Sequence, residues 1–153
     1  MPPSFEIREA SSGDYEWLFD LHVALFKSRI EQIWGWDEVW QRGNFALEWN
    51  SCRARVIESA GRLVGSVLTK QEPDHLYLLS IGLMDGFQGK GIGGEVMEAL
   101  QNEAFELSLP LRLSTFRINP RALAFYQRLG FKITGATETS DKLEWHPLSD
   151  ICG

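Results

Sequence analysis

The sequence is poor in the residues on which several classes of protein depend. Only two of its 153 residues are cysteines, Cys52 and Cys152, and they lie far apart. We therefore expect cytosolic free thiols rather than a disulfide framework. The three histidines are scattered, and no cysteine or histidine cluster has the spacing of metal ligands. A metal cofactor is not expected.

Excess positive charge and long apolar runs are also absent. The net charge is −6, which argues against a nucleic-acid partner and mildly favours an amine-bearing ligand. No run reaches the length of a transmembrane helix, and the first residues have no basic or apolar signal region, so no membrane partner is expected. The length and a hydrophobic content of 44% predict a single globular domain over residues 1–153. The missing signal region and the two expected free thiols predict a cytoplasmic location.

One stretch, Leu76 to Gly94 (LYLLSIGLMDGFQGKGIGG), combines three features that occur together in phosphate-binding sites. An apolar run that ends at Met84 predicts a buried strand, and a glycine-rich turn follows it. Apolar spacing then predicts a helix over 95–107. Glycines let a ligand approach the backbone, and a helix N-terminus offers unpaired N–H groups and partial positive charge. The stretch predicts an anion site, most simply for a pyrophosphate; the alternative is a purely structural turn.

Two common phosphate-binding motifs do not fit this turn. Gly89, Gly91 and Gly94 satisfy the spacing G-x-G-x-x-G of dinucleotide-binding folds. That motif expects a carboxylate roughly 20 positions further on, where this chain has Leu111 to Phe116 and no acidic residue. A P-loop requires Ser or Thr after the lysine, and here Lys90 is followed by glycine.

The rest of the chain shows a pattern of alternating strands and helices. Residues 30–50 hold four of the six tryptophans; we expect Gly35 and Gly43 to interrupt any long helix there, and Asp37 to cap a short one. A strand, a helix and a strand in succession predict that the strands on either side of 92–107 are parallel. The other predicted elements are a strand at 5–8, a helix from Tyr15 to about Lys27 or somewhat beyond, a hairpin of 53–59 and 62–70, a strand at 111–116, a helix that begins with Asn119-Pro120 and ends at Gly130, and a closing hairpin over 131–146.

Two blocks of the sequence resemble one protein family. Gln88-Gly89-Lys90-Gly91-Ile92-Gly93 resembles the Q/R-x-x-G-x-G/A motif of the GNAT superfamily of acyl-CoA-dependent N-acetyltransferases. The block from Asn119-Pro120-Arg121-Ala122 through Phe125-Tyr126 to Leu129-Gly130-Phe131 resembles the segment that follows in that family, in the same order and at the usual separation. The resemblance is clear from about Val56 to Phe131.

The resemblance implies a fold and a cofactor. The fold is α/β (α+β), with a mixed, mostly antiparallel sheet of about six or seven strands, about four flanking helices, and a parallel β-α-β unit at the cofactor site. The cofactor is acetyl-CoA as co-substrate. Its expected binding residues are Leu83, Met84, Gln88, Gly89, Lys90, Gly91, Ile92, Gly93, Gly94, Asn119 and Tyr126.

The resemblance also implies two catalytic residues. The family commonly stabilises the oxyanion of the tetrahedral intermediate with a backbone N–H at the end of the central strand, which corresponds to Leu83 or its neighbour Met84. Tyr126 matches the family's tyrosine that donates a proton to the leaving thiolate. A tyrosine that only packs on the sheet is the structural alternative. Asn119 is expected to cap the following helix and to contact the pantetheine arm.

The acceptor site is less well defined by sequence. Trp34, Trp36 and Asp37 place flat rings beside a carboxylate, which suits an amine; the alternative is that these tryptophans cover the core. In the family the early helices shape the acceptor site, and many members carry a glutamate in the central strand as general base. This strand offers no carboxylate or histidine, so the base stays open among the solvent and four residues of the N-terminal half: His22, Glu31, Asp37 and Glu38.

The sequence therefore predicts an N-acetyltransferase that moves the acetyl group of acetyl-CoA directly to a primary amine of a small molecule or peptide. The alternative is a non-catalytic acyl-CoA-binding module, which the missing carboxylate favours and Tyr126 opposes. A nucleotide enzyme lacks its ribose-binding acid, and a purely structural interaction protein leaves the glycine turn unexplained. Dimers are common in the family, so a homodimer is a further expectation.

Overall fold

The computed structural model describes residues 5–147 and has four α-helices and seven strands within that range. Cys152 lies outside the described residues, and Cys52 is a free thiol. The helices are α1 (Tyr15–Ile33), α2 (Glu38–Ser51), α3 (Ile92–Leu107) and α4 (Pro120–Arg128). The strands are β1 (Glu6–Glu9), β2 (Arg53–Ser59), β3 (Arg62–Gln71), β4 (Leu76–Leu83), β5 (Leu111–Phe116), β6 (Lys132–Ala136) and β7 (Ser140–Trp145).

The strands form one seven-stranded sheet in the order β1-β2-β3-β4-β5-β7-β6. The pairs β1–β2, β2–β3, β5–β7 and β6–β7 are antiparallel, and β4–β5 is parallel. The parallel pair follows from the crossover through α3, because a helix between two strands returns the chain to the same end of the sheet. The predicted mixed, mostly antiparallel fold is confirmed.

Contacts divide the chain into two compact units. Within the described residues, the first contains 5–70 and 80–93, and the second contains 71–79 and 94–147. Strand β4 and helix α3 each begin in one unit and end in the other. That residues 1–153 form a single domain stays a prediction.

The core of the first unit lies between α1, α2 and the hairpin of β2 and β3. Leu18, Phe19, Phe45 and Val56 are buried together there, and Trp49 packs against them. The hairpin turns at Ala60-Gly61, where both residues have positive φ (53° and 77°). That is the backbone of the two-residue turn whose twist matches its flanking strands, so the sequence defines this hairpin locally.

The second unit packs α3 and α4 with β5, β7 and β6. Apolar residues at helical spacing in α3, Val96, Leu100 and Ala104, are almost fully buried, as the amphipathic pattern predicts. Helix α4 begins with Pro120 after Asn119, whose side chain accepts a hydrogen bond from the Ala122 N–H. Gly130 follows the helix with a φ of 97°, which is typical of a helix-ending glycine.

Of the predictions about residues 15–51, the end of the first helix is made definite and the one about Gly43 is wrong. Helix α1 continues to Ile33, six residues beyond Lys27. Gly43 does not interrupt a helix: it lies within the 14-residue α2, which Asp37 caps through its side chain. A single glycine costs about 1 kcal/mol relative to alanine. The burial of Phe45 and the packing of Trp49 in the core of the first unit offset that cost. None of the helices in residues 5–147 is long and apolar enough to cross a membrane.

Candidate functional site

The end of β4 and the glycine turn form one hydrogen-bonded segment of the first unit. The Gln88 side chain donates from Nε2 to the carbonyl oxygen of Leu83 over 2.8 Å. A short 3-10 turn, Asp85–Phe87, lies between them, and the Phe87 N–H donates to the Met84 carbonyl at 2.8 Å. The Gln88 side chain therefore holds the turn against the strand, a role for the first residue of the motif that its sequence does not reveal.

The glycines that follow leave open space above the backbone. Gly89 and Gly91 have φ values of 73° and 86°, in the left-handed region that favours glycine. A Cβ atom added at either position, or at Gly94, would meet nothing within 4 Å. Helix α3 begins at Ile92, directly after them, so its first N–H groups lie at this open surface. The arrangement can accommodate an anion that approaches the backbone closely.

The two expected oxyanion donors, Leu83 and Met84, differ in the direction of their backbone N–H groups. The Met84 N–H donates to the Val64 carbonyl oxygen of β3 over 2.8 Å, so it is engaged. Successive backbone N–H groups along a strand point to opposite edges. The N–H of Leu83, the preceding residue, therefore points away from β3. Of this pair, Leu83 is the better candidate donor.

Helix α1 packs directly over the end of β4. A Cβ atom at Gly82 would lie 2.4 Å from Leu25 Cδ1, and a Cβ atom at Gly65 would lie 2.4 Å from the Gly82 carbonyl oxygen. Glycine at these two positions permits the close approach of α1, β3 and β4. The turn of α1 that contains Leu25 is therefore fixed next to the residue that precedes Leu83.

An aromatic cluster surrounds His22 on α1. The rings of Phe19, Phe26, Trp36 and Phe45 have centroids 5.5–6.1 Å from the imidazole centroid. The imidazole Nε2 lies 3.1 Å from Oε1 of the buried Gln41 on α2. Burial lowers the pKa of His22 below its ordinary value of 6.5, and the bond to Gln41 opposes that effect only in part. The cluster thus contains a neutral imidazole at pH 7.

The three predicted acceptor residues have different surroundings. Trp36 belongs to the His22 cluster, carries the Lys27 ammonium over its ring at 5.5 Å, and donates from Nε1 to Glu38 at 3.1 Å. Asp37 accepts a hydrogen bond from the Trp40 N–H, so one of its oxygens is used as the cap of α2. Trp34 is 64% exposed, so most of this residue is accessible to solvent.

Asn119 and Tyr126 lie in the second unit, on α4. The Asn119 Oδ1 atom caps this helix, as predicted. The half-buried Tyr126 ring packs edge-on against Phe125 and Phe131 at 5.2 and 5.7 Å. Burial raises the pKa of Tyr126 to about 12. Its hydroxyl has no hydrogen-bond partner within residues 5–147, so it is available to a ligand.

Within the described part of the chain, no group of three or more histidine, cysteine or acidic side chains could hold a metal ion. Gln41 is the residue of this site that the sequence did not indicate. It is 19 positions from His22, and the two meet only because α1 packs against α2. The one available signal was that Gln41 shares the apolar face of α2 with Phe45, at a spacing of four.

Comparison with known proteins identifies the family. Residues 15–131 match the acetyltransferase (GNAT) family model. Over 92 residues the chain is 30% identical to the peptidyl-lysine N-acetyltransferase YjaB of Salmonella typhimurium, a match that covers 56% of this chain and 61% of that protein. The chain thus aligns with about six tenths of the length of this curated relative.

Solved structures share the fold over nearly their whole length. The PaiA N-acetyltransferase of Thermoplasma acidophilum in complex with coenzyme A has a TM-score of 0.75 at 21% identity, covering 94% of this chain and 99% of that one. The spermidine N-acetyltransferase of Vibrio cholerae, in complex with coenzyme A and spermine, has a TM-score of 0.71 at 20% identity, covering 96% and 98%.

Proposed function

The chain belongs to the acetyltransferase (GNAT) family, and we propose that it transfers the acetyl group of acetyl-CoA directly to a primary amine of a small molecule or peptide. The observation that carries the proposal is the open turn at Gly89 and Gly91, followed at once by the N-terminus of α3. Coenzyme A is present in two similar solved structures, which supports this choice among phosphate-bearing ligands.

The pyrophosphate of acetyl-CoA would bind the backbone of residues 88–94. Positive φ at Gly89 and Gly91 lets successive N–H groups converge, and the start of α3 adds the partial charge of the helix dipole. The side chain of Gln88 supports this turn through Leu83, and we assign Lys90 and Ile92 to binding through their backbone. The cofactor supplies the acyl thioester.

The protein supplies the polar groups around that thioester. The Leu83 N–H, which points away from β3, would donate to the oxyanion as negative charge develops on the carbonyl oxygen. The Tyr126 hydroxyl, without a partner among the described residues, would donate to the departing sulfur. Asn119 keeps its Nδ2 for the pantetheine arm, since Oδ1 caps α4. The assignments of Asn119 and Tyr126 rest on their family motif and not on any distance between the two units.

An amine acceptor is supported by two relatives and by the aromatic rings. One relative is named for peptidyl-lysine and another for spermidine, and both of those substrates carry primary amines. The chain itself is acidic, and Trp34 presents an exposed aromatic ring that could contact a cation, whereas the Trp36 ring already carries the Lys27 ammonium. A homodimer and a cytoplasmic location stay predictions.

The test is calorimetric titration with acetyl-CoA, with NADH and ATP as controls, followed by thiol release with a panel of amines. We expect micromolar binding of acetyl-CoA alone and thiol release with at least one amine. Binding without release by any amine would favour the alternative, a non-catalytic acyl-CoA-binding module. Folded protein that does not bind acetyl-CoA would refute the proposal.

A matched pair of variants tests the turn. Gly91→Trp fills the open space above the backbone and should abolish acetyl-CoA binding. Gly61→Trp introduces the same side chain at another exposed glycine of positive φ, in the β2–β3 turn, and should leave the affinity unchanged. If Gly91→Trp binds acetyl-CoA as tightly as Gly61→Trp and the wild type, the pyrophosphate assignment is excluded.

A further inference from the structure

We propose that His22 is the general base of this acetyltransferase and that Gln41 holds its imidazole in the required tautomer. The inference rests on the proposed function and adds a catalytic residue to it. Strand β4 contains no carboxylate or histidine, so the proton of the acceptor amine has no acceptor there.

The contact with Gln41 fixes the tautomer. An amide oxygen can only accept, so the Nε2 atom of His22 must donate its proton to Gln41 Oε1. The other ring nitrogen, Nδ1, then carries a lone pair in the neutral imidazole. Catalytic bases are commonly oriented by another side chain in this way, and here the buried Gln41 orients His22.

The lone pair is available for chemistry. Nδ1 of His22 forms no hydrogen bond within residues 5–147 and is not sealed from solvent. Burial among four aromatic rings keeps the pKa of this histidine low, so the imidazole is unprotonated at neutral pH. A neutral imidazole can accept a proton, whereas an imidazolium cannot.

Packing places the part of α1 that carries His22 next to the end of β4. The side chain of Leu25 contacts Gly82, which adjoins the proposed oxyanion donor Leu83. Side chains of an α-helix lean toward its N-terminus, so the contact of Leu25 lies over the preceding turn of α1, which contains His22. The base and the Leu83 N–H therefore belong to adjoining parts of the first unit.

The other candidate bases are engaged. Glu31 pairs with Lys27, Asp37 caps α2, and Glu38 accepts from Trp36 and pairs with Arg42. The charged groups that contact the rings around His22 are Lys27 over Trp36, Glu38 on the Trp36 indole, and Arg42 over Phe19. Each is exposed, so screening by solvent weakens its effect on the titration of His22.

The lone pair of the neutral amine forms the C–N bond, and His22 Nδ1 takes the proton that this nitrogen loses. The C–S bond breaks and its electron pair stays on sulfur, where the Tyr126 hydroxyl donates a hydrogen bond. Solvent then carries the proton from His22 to the thiolate, which gives an amide and a thiol.

The test uses the full chain, acetyl-CoA and the best amine of the panel. At pH 7, His22→Gln should lower kcat/KM by about 100-fold or more, the usual contribution of a general base. Gln41→Leu should lower it by about 10-fold, because the base remains but its orientation is lost. Acetyl-CoA affinity should not change in either variant.

The pH profile distinguishes a base from a structural histidine. For an amine of high pKa, log kcat/KM of the wild type should rise with a slope of about 1, steepening to about 2 below the pKa of His22. His22→Gln should keep a slope of about 1 throughout. Added imidazole should restore part of the activity of His22→Ala but none to His22→Gln, whose side chain fills the space.

The outcomes separate the two proposals. Wild-type protein that binds no acetyl-CoA, or transfers to no amine, refutes the proposed function. An active wild type whose His22→Gln variant keeps its rate and the steep acidic limb refutes this inference alone. A folded, slow His22→Ala variant that imidazole does not rescue, with an unchanged pH profile, also refutes it.

Discussion

Tyr126→Phe provides the sharpest test of the second unit's part in the reaction. Burial raises the pKa of Tyr126 to about 12, so the phenol stays protonated over the pH range of an activity assay. A thiol has a pKa of about 8.5 in water, below that of this phenol, so complete transfer of the phenol proton to the thiolate is unfavourable. Tyr126 is therefore expected to stabilise the leaving sulfur as a hydrogen-bond donor.

The magnitude follows from that role. A hydrogen bond to a charged group contributes about 1.5–3 kcal/mol, and each 1.4 kcal/mol corresponds to tenfold in rate. Tyr126→Phe should thus lower kcat by roughly 10- to 150-fold. Because the hydroxyl has no partner within residues 5–147 and the ring contacts with Phe125 and Phe131 remain, stability should change by less than about 0.5 kcal/mol.

The assay is steady-state thiol release, with acetyl-CoA affinity and urea unfolding measured on the same samples. Tyr15→Phe is the matched control, since Tyr15 also packs edge-on against two aromatic rings but lies in the core of the first unit. It should leave kcat unchanged. An unaltered kcat in Tyr126→Phe would refute the donor role. A falling limb near pH 9 that disappears in the variant would instead show that the phenol pKa is much lower and that the proton is fully transferred.

Three further predictions concern stability and are measured by urea unfolding. Gly43→Ala should stabilise the protein by about 0.5–1 kcal/mol, since Gly43 lies inside α2 with open space around it; destabilisation would argue against a continuous helix there. Gly65→Ala should destabilise it by about 1–3 kcal/mol, because the new Cβ would meet the backbone oxygen of Gly82; a neutral result would show that β3 and β4 can separate freely. Hydrogen bonds from the Arg8 side chain and the Ser11 N–H lower the pKa of Asp14 in the folded protein. This carboxylate therefore stabilises the fold at every pH above its unfolded pKa of about 3.9. That contribution is lost as the pH falls through the lower pKa of the folded state. Asp14→Asn should therefore be less stable than the wild type at pH 7, with a difference that shrinks in acid; a difference independent of pH would contradict this.

The parts of the fold that the sequence predicted well are those with local signals. Ala60-Gly61 defines a hairpin turn, Asn119-Pro120 starts α4 and Gly130 ends it, and each acts through its own backbone conformation. The order of elements around α3 was enough to predict the parallel pairing of β4 and β5. Such features need no knowledge of distant residues, so a single sequence contains them.

The errors lie where tertiary packing overrides a local preference. Gly43 has a poor intrinsic helix propensity, yet the opposite face of α2 buries Gln41 and Phe45, and that burial outweighs the preference of one residue. Gly65 and Gly82 lie within two predicted strands, and no local pattern marks either of them. Their role, to let α1 and two strands approach one another, depends on Leu25 and on backbone atoms far away in the sequence.

The candidate base illustrates the same limit with a functional consequence. Many members of the family carry the base as a glutamate in the central strand, a position that can be recognised from sequence order alone. His22 and Gln41 instead meet across two helices, and only their contact shows which nitrogen carries the lone pair. The same helices contribute Trp36 and the other rings of the cluster, whereas residues 88–94 lie on a separate segment. Substitutions in α1 and α2 should therefore alter both the amine preference and the acidic limb of the pH profile. They should not change the affinity for acetyl-CoA, which depends on the glycine turn.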